Sequence, residues 1–243
     1  MGTGEIILGI YPMAALTLII SSLIWGGLVF LISGRSKRYL WAIALGIPLS
    51  PPINILVKGP LAYLVAGVLG LKPVFTSSQP VWFLAFLFML APALEEAVKP
   101  LPLALRKIRI NIRDPSSALS IGLGLGVGFG LGEAAYLAFG ISQTPQYVGL
   151  PWYVFTGYLY ERTIVCFIHG VMTAVVVTGY QNGRLLKYYF VDIFIHSLVN
   201  IGAVLFSLGY ISGPGALILL IASTLLCGVI FELLRRRSNA QTV

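Results

Sequence analysis

Apolar residues dominate the chain in seven long runs separated by short polar segments. Each run reaches or exceeds the roughly 20 residues with which a helix crosses a bilayer. The runs are residues 5–32, 39–71, 81–105, 116–140, 152–180, 188–208 and 214–234. The pattern predicts an all-α polytopic membrane protein, a bundle of about seven transmembrane helices. We expect a single transmembrane domain over residues 1–234 and a short basic tail over 235–243.

The second run differs from the others because it is too long for a simple span and is interrupted by prolines. Lys58 lies inside it, and the prolines are Pro48, Pro51, Pro52 and Pro60. Proline removes a backbone donor and leaves carbonyl groups that neighbouring groups must satisfy. The run therefore predicts either one kinked helix or two segments, and the second case would give eight segments in all.

The composition supports a membrane protein and excludes several other classes. Of 243 residues, 58% are hydrophobic and only 10% are charged. A water-soluble domain has about a quarter of its residues charged, and a disordered chain is poorer in apolar residues. Two cysteines are too few for a disulfide-based secreted scaffold.

The net charge of +8 could indicate a nucleic-acid partner, but the basic residues are placed differently. Twelve of the 16 lie in four clusters between apolar runs: Arg35, Lys37 and Arg38; Arg106, Lys107, Arg109 and Arg113; Arg184 and Lys187; and Arg235, Arg236 and Arg237. No nucleic-acid-binding motif accompanies them, so we expect no nucleic-acid partner. Basic residues concentrate on the cytoplasmic side of spans. Seven crossings put all four clusters there if the N-terminus is outside, which predicts a multi-pass protein of the cell membrane with a cytoplasmic C-terminus.

Glycines in the fourth run recur every four residues on two faces of the predicted helix. One series is Gly122, Gly126 and Gly130, and the other is Gly124, Gly128 and Gly132. Small residues four apart let helix backbones approach closely in lipid. We therefore expect this helix to be packed on both sides near the centre of the bundle.

Ionisable residues inside the apolar runs are the candidates for chemistry. Each costs about 2.5–3.5 kcal/mol at mid-bilayer, so such residues usually have a function. The acidic residues are Glu95, Glu96, Glu133, Glu161 and Asp192. The other polar candidates are Lys99, Arg162, His169, His196 and Asn200.

Glu95 and Glu96 are adjacent, so on a helix their side chains diverge by about 100°. Lys99 is four residues from Glu95 and three from Glu96, which allows an ion pair with one of them. The other carboxylate is then free to face a cavity. We expect this segment to form a polar pocket wall.

A second polar stripe lies on the sixth run, where Asp192, His196 and Asn200 are spaced four apart. An Asp beside a His can fix its tautomer, and an Asn can donate hydrogen bonds to an oxyanion. Helix rise puts His196 at the depth of Glu95 and His169, so these three residues are expected to converge in the cytoplasmic half.

Glu133 falls at a different level by the same count, nearer Arg162, and is expected to be that residue's ion-pair partner. The sequence leaves the cofactor open. One interpretation is a divalent metal such as zinc, held by His169, His196 and Glu95 or Glu133. The other is a buried carboxylate that acts as a general base on water without a metal.

Three segments resemble the ordered motifs of the CAAX-protease and bacteriocin-processing superfamily of intramembrane proteases. The segments are Glu95-Glu96-x-x-Lys99, Phe129-x-x-x-Glu133 and His196-x-x-x-Asn200. Two features of this chain are more similar to the PrsW and YhfC branches of the superfamily than to CAAX proteases. One is the lysine after the paired glutamates, and the other is Glu133 at the position where CAAX proteases carry His. Glu161-Arg162 followed by His169 is also similar to the YhfC branch.

This resemblance implies hydrolysis of a membrane-anchored peptide or protein substrate. Glu95 would activate water and Glu96 would assist or orient it. His196 and Asn200 would stabilise the oxyanion. Because Glu133 replaces a His, the resemblance does not carry a metal over to this chain.

A second resemblance points to a different function. The chain also resembles the scaffold subunit of gamma-secretase. The shared features are seven spans, an outside N-terminus, a glycine-rich fourth span and histidines in the fifth and sixth spans. That relative implies a non-catalytic assembly partner, but it lacks the paired glutamates. A proton-coupled transporter that uses Glu95, Glu133 and the histidines as a relay is a third alternative. The paired glutamates favour the protease.

Overall fold

The computed structural model describes residues 9–36 and 39–240, and in this part of the chain seven helices are long and apolar enough to cross a membrane. They are α1 (Tyr11–Ile32), α2 (Leu40–Val68), α3 (Val81–Ala104), α4 (Pro115–Ser142), α5 (Trp152–Gln181), α6 (Leu185–Ser207) and α7 (Gly213–Ala240). No β-strand occurs among the described residues. The predicted all-helical bundle of seven spans is confirmed. The predicted start of the first run at Glu5, and Lys37 and Arg38 of the first basic cluster, lie outside the described residues.

The proline-rich second run forms one irregular helix, so the expectation of a single kinked span holds and the eight-segment alternative does not. α2 tightens to a 3₁₀ turn at Ile47–Leu49 and widens to a π turn at Ile53–Lys58. These changes of pitch accommodate prolines, which cannot donate to the preceding turn. Within the irregular stretch, the buried Asn54 amide donates to the carbonyl oxygen of Ser50 at 2.8 Å.

Local sequence also sets the ends of α3 and α4. The α-helical part of α3 ends at Val98, and a 3₁₀ turn at Leu101–Ala104 follows the proline at position 100. Asp114 begins α4 by accepting a hydrogen bond from the Ser117 amide at 2.7 Å. The Ser117 hydroxyl accepts in return from the Asp114 amide, which completes a capping box.

The glycine-rich α4 lies between α5 and α2, as its two stripes predict. A Cβ added to Gly126 would lie 2.1 Å from the carbonyl oxygen of His169 on α5. A Cβ added to Gly128 would lie 2.0 Å from the carbonyl oxygen of Ile43 on α2. The other glycines of the two series make contacts of the same kind with Ala174 and Cys166 on α5 and with Ala42 and Ile47 on α2. α4 and α5 are consequently the most buried helices of the bundle.

The remaining helices pack around this centre. α1 joins α5 through the Trp25 indole, which donates to the Thr163 carbonyl oxygen at 2.7 Å. α6 joins α3 through the Tyr189 hydroxyl, which donates to the Ala93 carbonyl oxygen at 2.8 Å. α7 is the least buried helix, and it continues through residues 235–240 instead of ending before the predicted tail. Residues 241–243 lie outside the described part.

The contact between α4 and α2 predicts a large loss of stability for Gly128→Ala. The added methyl group would meet backbone atoms that no rotamer change can move, so we expect destabilisation of about 2–3 kcal/mol or more. Thermal unfolding of the purified protein in detergent measures this change. Gly140→Ala on the same helix is the matched control, since its added Cβ would meet nothing within 4 Å apart from its chain neighbours and the nearby backbone of its own helix. Equal melting temperatures for the two variants would contradict the proposed packing.

Candidate active site

Glu95 and Glu96 lie on the last α-helical turns of α3 and diverge as expected. Both side chains are buried, and Glu95 lies on the wall of a large cavity. Glu96 points into the protein, where its Oε1 lies 2.5 Å from Nζ of Lys99. The prediction that one glutamate faces a cavity and the other pairs with Lys99 is therefore confirmed.

Glu96 also contacts His196 on α6, with 2.5 Å between Oε1 and Nδ1. A carboxylate only accepts hydrogen bonds, so Nδ1 of His196 carries a hydrogen and donates it. In a neutral ring this leaves a lone pair on Nε2. Glu96, instead of the Asp192 that the sequence suggested, thus fixes the tautomer of His196. Asp192 is fully buried and interacts with the Glu96 carboxyl group, and no hydrogen bond joins it to His196.

His169 on α5 connects Lys99 to Glu133. Nζ of Lys99 lies 2.9 Å from Nδ1 of His169, and Nε2 of His169 lies 3.0 Å from Oε2 of Glu133. An ammonium group only donates, so Nδ1 of His169 accepts and the ring hydrogen is on Nε2. That N–H donates to Glu133. The two histidines, whose ring centroids are 5.7 Å apart, therefore hold opposite tautomers.

Glu133 on α4 belongs to this network, and the expectation that it lies at a separate depth is wrong. Its pairing with Arg162 is confirmed by a 3.2 Å distance from Oε2 to the guanidinium, which also contacts the half-exposed Glu161 at 2.5 Å. Helical side chains tilt toward the N-terminus of their own helix. Because α4 and α5 run in opposite directions, Glu133 and His169 tilt toward one another and close the difference in depth of their backbones.

Lys58 is a site residue that the sequence analysis did not assign. It ends the π turn of α2, and its Nζ lies 2.7 Å from Oε1 of Glu95. The second oxygen of Glu95, Oε2, is buried and has no hydrogen-bond partner among the described residues. The available signal was a lone cation inside an apolar run, close to several prolines.

A cavity of about 950 Å³ opens beside these groups. Charged and polar residues on its wall include Lys58, Glu95, Glu133, Glu161, Arg162, His169, His196 and Asn200. Asn200 is half-buried and lies one turn beyond His196 on α6. The convergence predicted for Glu95, His169 and His196 is confirmed.

Among the described residues, one group of side chains could hold a metal ion. One donor atom from each of Glu95, Glu133 and His169 lies within 4.8 Å of the others, and His196 is outside the group. Two carboxylates and an imidazole are zinc ligands by type. However, Nε2 of His169 carries a hydrogen and Oε1 of Glu95 already binds Lys58. The residues in this arrangement therefore do not fit a metal.

The opposite tautomers can be tested because the chain has only two histidines. In protein labelled with ¹⁵N-histidine, we expect one ring with a hydrogen on Nδ1 and one ring without it. The His169→Gln variant should remove the ring whose Nδ1 lacks a hydrogen. Two rings with the same state at Nδ1 would contradict the assignment.

Comparison with known proteins gives no family for this chain. No protein-family model, no curated protein and no solved structure matches it significantly.

Proposed function

We propose that the protein is an intramembrane endopeptidase that hydrolyses membrane-anchored peptide or protein substrates. The observation that carries the proposal is the environment of Glu95. Its carboxyl group is buried on the wall of a large cavity, and Oε2 is not bonded to any described residue. The 2.7 Å ion pair with Lys58 stabilises the carboxylate through the other oxygen. Glu95 is thus a base that is held in place through one oxygen, and its other oxygen is buried beside the cavity without a partner among the described residues.

In the proposed reaction, Oε2 of Glu95 removes a proton from water while the water oxygen attacks the substrate carbonyl carbon. A C–O bond forms, and the carbonyl electron pair moves to the oxygen as an oxyanion. When this intermediate collapses, the C–N bond breaks. The proton held by Glu95 then passes to the leaving nitrogen, so the same carboxyl group serves first as base and then as acid.

The oxyanion needs hydrogen-bond donors, and the cavity wall supplies two. We assign this role to the Asn200 amide and the Lys58 ammonium group, because both residues line the cavity. His196 has a different role while its ring is neutral. Since Nδ1 is bonded to Glu96, its Nε2 accepts a hydrogen bond and can orient the attacking water. It becomes a donor to the oxyanion only as an imidazolium paired with Glu96.

The apolar part of the cavity supports a substrate that is anchored in the membrane. The wall also contains apolar side chains of α3, α6 and α7: Leu87, Phe88, Val199, Ala203, Leu217 and Leu220. An apolar membrane segment gains free energy by covering this wall and releasing its water, whereas a polar soluble peptide would lose hydration of its own polar groups there. The cavity therefore suits an amphiphilic segment with its scissile bond near Glu95.

A non-catalytic scaffold is the second candidate, and the buried ion pairs favour it. Lys99 and Glu96 are both fully buried, and the pair continues through His169 to Glu133. A network of this kind can specify how helices pack without any reaction. Such a protein would bind a membrane partner in a stable complex and leave it uncut.

Proteolysis of membrane-anchored peptides in proteoliposomes separates these candidates. We expect the wild-type protein to cut members of a peptide panel and Glu95→Gln to lose activity by about 10²–10⁴-fold, because the amide cannot accept the proton. Glu232→Gln is the matched control, since Glu232 is on α7 and pairs with Arg235 and Arg236. Equal cleavage by Glu95→Gln and wild type would refute the assignment of Glu95. A stable complex without cleavage by any variant would favour the scaffold.

We also propose that the protein lies in the cell membrane with its N-terminus outside and its C-terminus in the cytoplasm. The proposal is supported by the basic clusters, which the seven spans place at one end of the bundle.

Single cysteines test this orientation. We expect a cysteine at Arg113, before α4, to be labelled by an impermeant thiol reagent only after cells are opened. A cysteine at Gln146, after α4, should be labelled in intact cells. Cys166 and Cys227 are buried and should give a low background. The reverse labelling pattern would invert the proposed topology.

A further inference from the structure

We propose that Lys58 and Lys99 take the place of a divalent cation at the cluster of Glu95, Glu133 and His169, and that removing them converts the cluster into a zinc site. The inference adds to the proposed function that lysine ammonium groups, and not a metal ion, supply the positive charge at the site. It rests on the geometry of the cluster and not on catalysis, so it can be tested by zinc binding alone.

The ammonium group of Lys58 supplies the positive charge that a metal would bring. Its Nζ lies 2.7 Å from Glu95, and Glu133 also interacts with it electrostatically. A divalent ion held by the same two carboxylates would be close to this ammonium group. Repulsion between like charges in a buried site costs several kcal/mol, so the ion and the ammonium group exclude one another.

Lys99 blocks the third ligand by a different route. Its ammonium group donates to Nδ1 of His169, which puts the ring hydrogen on Nε2. Nε2 is the nitrogen that faces Glu133 at 3.0 Å. Metals bind the lone pair of a neutral imidazole nitrogen, and an N–H offers none. As long as Lys99 donates to Nδ1, His169 is a hydrogen-bond donor to Glu133 and not a metal ligand.

Removal of Lys58 should favour binding of a metal ion at Glu95. Glu95 is only 1% exposed, so without Lys58 its carboxylate is buried with no cation on Oε1. An uncompensated buried charge is strongly unfavourable, and a metal ion from solvent can neutralise it. Lys58 lines the open cavity, so a methionine of similar length at this position leaves the packing around it largely unchanged.

The change Lys99→Gln acts on the nitrogen ligand. The glutamine carbonyl oxygen can accept a hydrogen from Nδ1 of His169, which leaves the lone pair on Nε2 toward Glu133. The glutamine NH₂ can still donate to Glu96. Combined with Lys58→Met, this change should give two carboxylates and one imidazole nitrogen, the ligand set of a zinc site with one open position.

Zinc titration of the purified proteins in detergent tests the proposal, with Zn²⁺ itself as the probe. We expect Lys58→Met to bind zinc roughly tenfold more tightly than wild type, and the double variant roughly a hundredfold more tightly. Adding Glu133→Gln to the double variant should abolish the gain. Lys72→Met is the matched control, since Lys72 is exposed in the segment between α2 and α3, and it should behave as wild type.

Three results would overturn the proposal. One is wild-type protein that carries one tightly bound zinc per chain. Another is Lys58→Met that is folded by size-exclusion chromatography but binds zinc no more tightly than Lys72→Met. The third is wild-type proteolysis that a chelator abolishes and zinc restores. If the double variant does not fold, Lys58→Met alone decides the question. A protein that cuts no peptide but shows the expected zinc series would refute the proposed hydrolysis and leave this inference standing.

Discussion

The close contact of α4 with its two neighbours is the constraint on which the polar site depends. Lipid provides no hydrophobic force that would hold two helices together, so their backbones must approach closely to gain packing energy. Gly126 lies against the carbonyl oxygen of His169, and Gly128 lies against that of Ile43. At this separation Glu133 reaches His169 at 3.0 Å. A larger residue at either glycine would push α4 away from a neighbouring helix. The glycines therefore fix the geometry of the site without taking part in its contacts.

Burial of carboxylates then determines the rest of the arrangement. A cation stabilises a buried carboxylate, and three glutamates of the described part each have one. The cation of Glu95 and that of Glu133 come from a neighbouring helix, whereas Lys99 is on the same helix as Glu96. The pairs are Lys58–Glu95 at 2.7 Å, Lys99–Glu96 at 2.5 Å and Arg162–Glu133 at 3.2 Å. Two of these pairs join α2 to α3 and α5 to α4, and the contact of Lys99 with His169 joins α3 to α5. The bond from His196 to Glu96 adds α6. The same contacts that hold the helices in register also orient both histidines.

The sequence predicted the spans, the two packed faces of α4 and the division of labour between Glu95 and Glu96, because each follows from helical periodicity. It also predicted the pair of Glu133 with Arg162, but not the role of Lys58, the depth of Glu133 or the partner of His196. Lys58 was not assigned because a π turn between prolines gives no regular periodicity from which to place its side chain. Glu133 was assigned to another depth because counting residues gives the height of a backbone, whereas the side chains of antiparallel helices tilt toward one another. Glu96 was not predicted as the partner of His196 because this contact depends on how closely α3 approaches α6.

The pairing of each glutamate with one cation affects whether the site would bind a divalent metal ion or a neutral water molecule. Glu95, Glu96 and Glu133 each have a cationic partner already, so a divalent ion would add positive charge beside an ammonium group in a poorly polarisable environment. A water molecule is neutral and enters without any such cost. The single contact of Lys58 with one oxygen of Glu95 leaves the other oxygen for that water. The pairing of these carboxylates thus supports the proposed action of Glu95 on water, in which catalytic strength would come from the fixed positions of the donors around it.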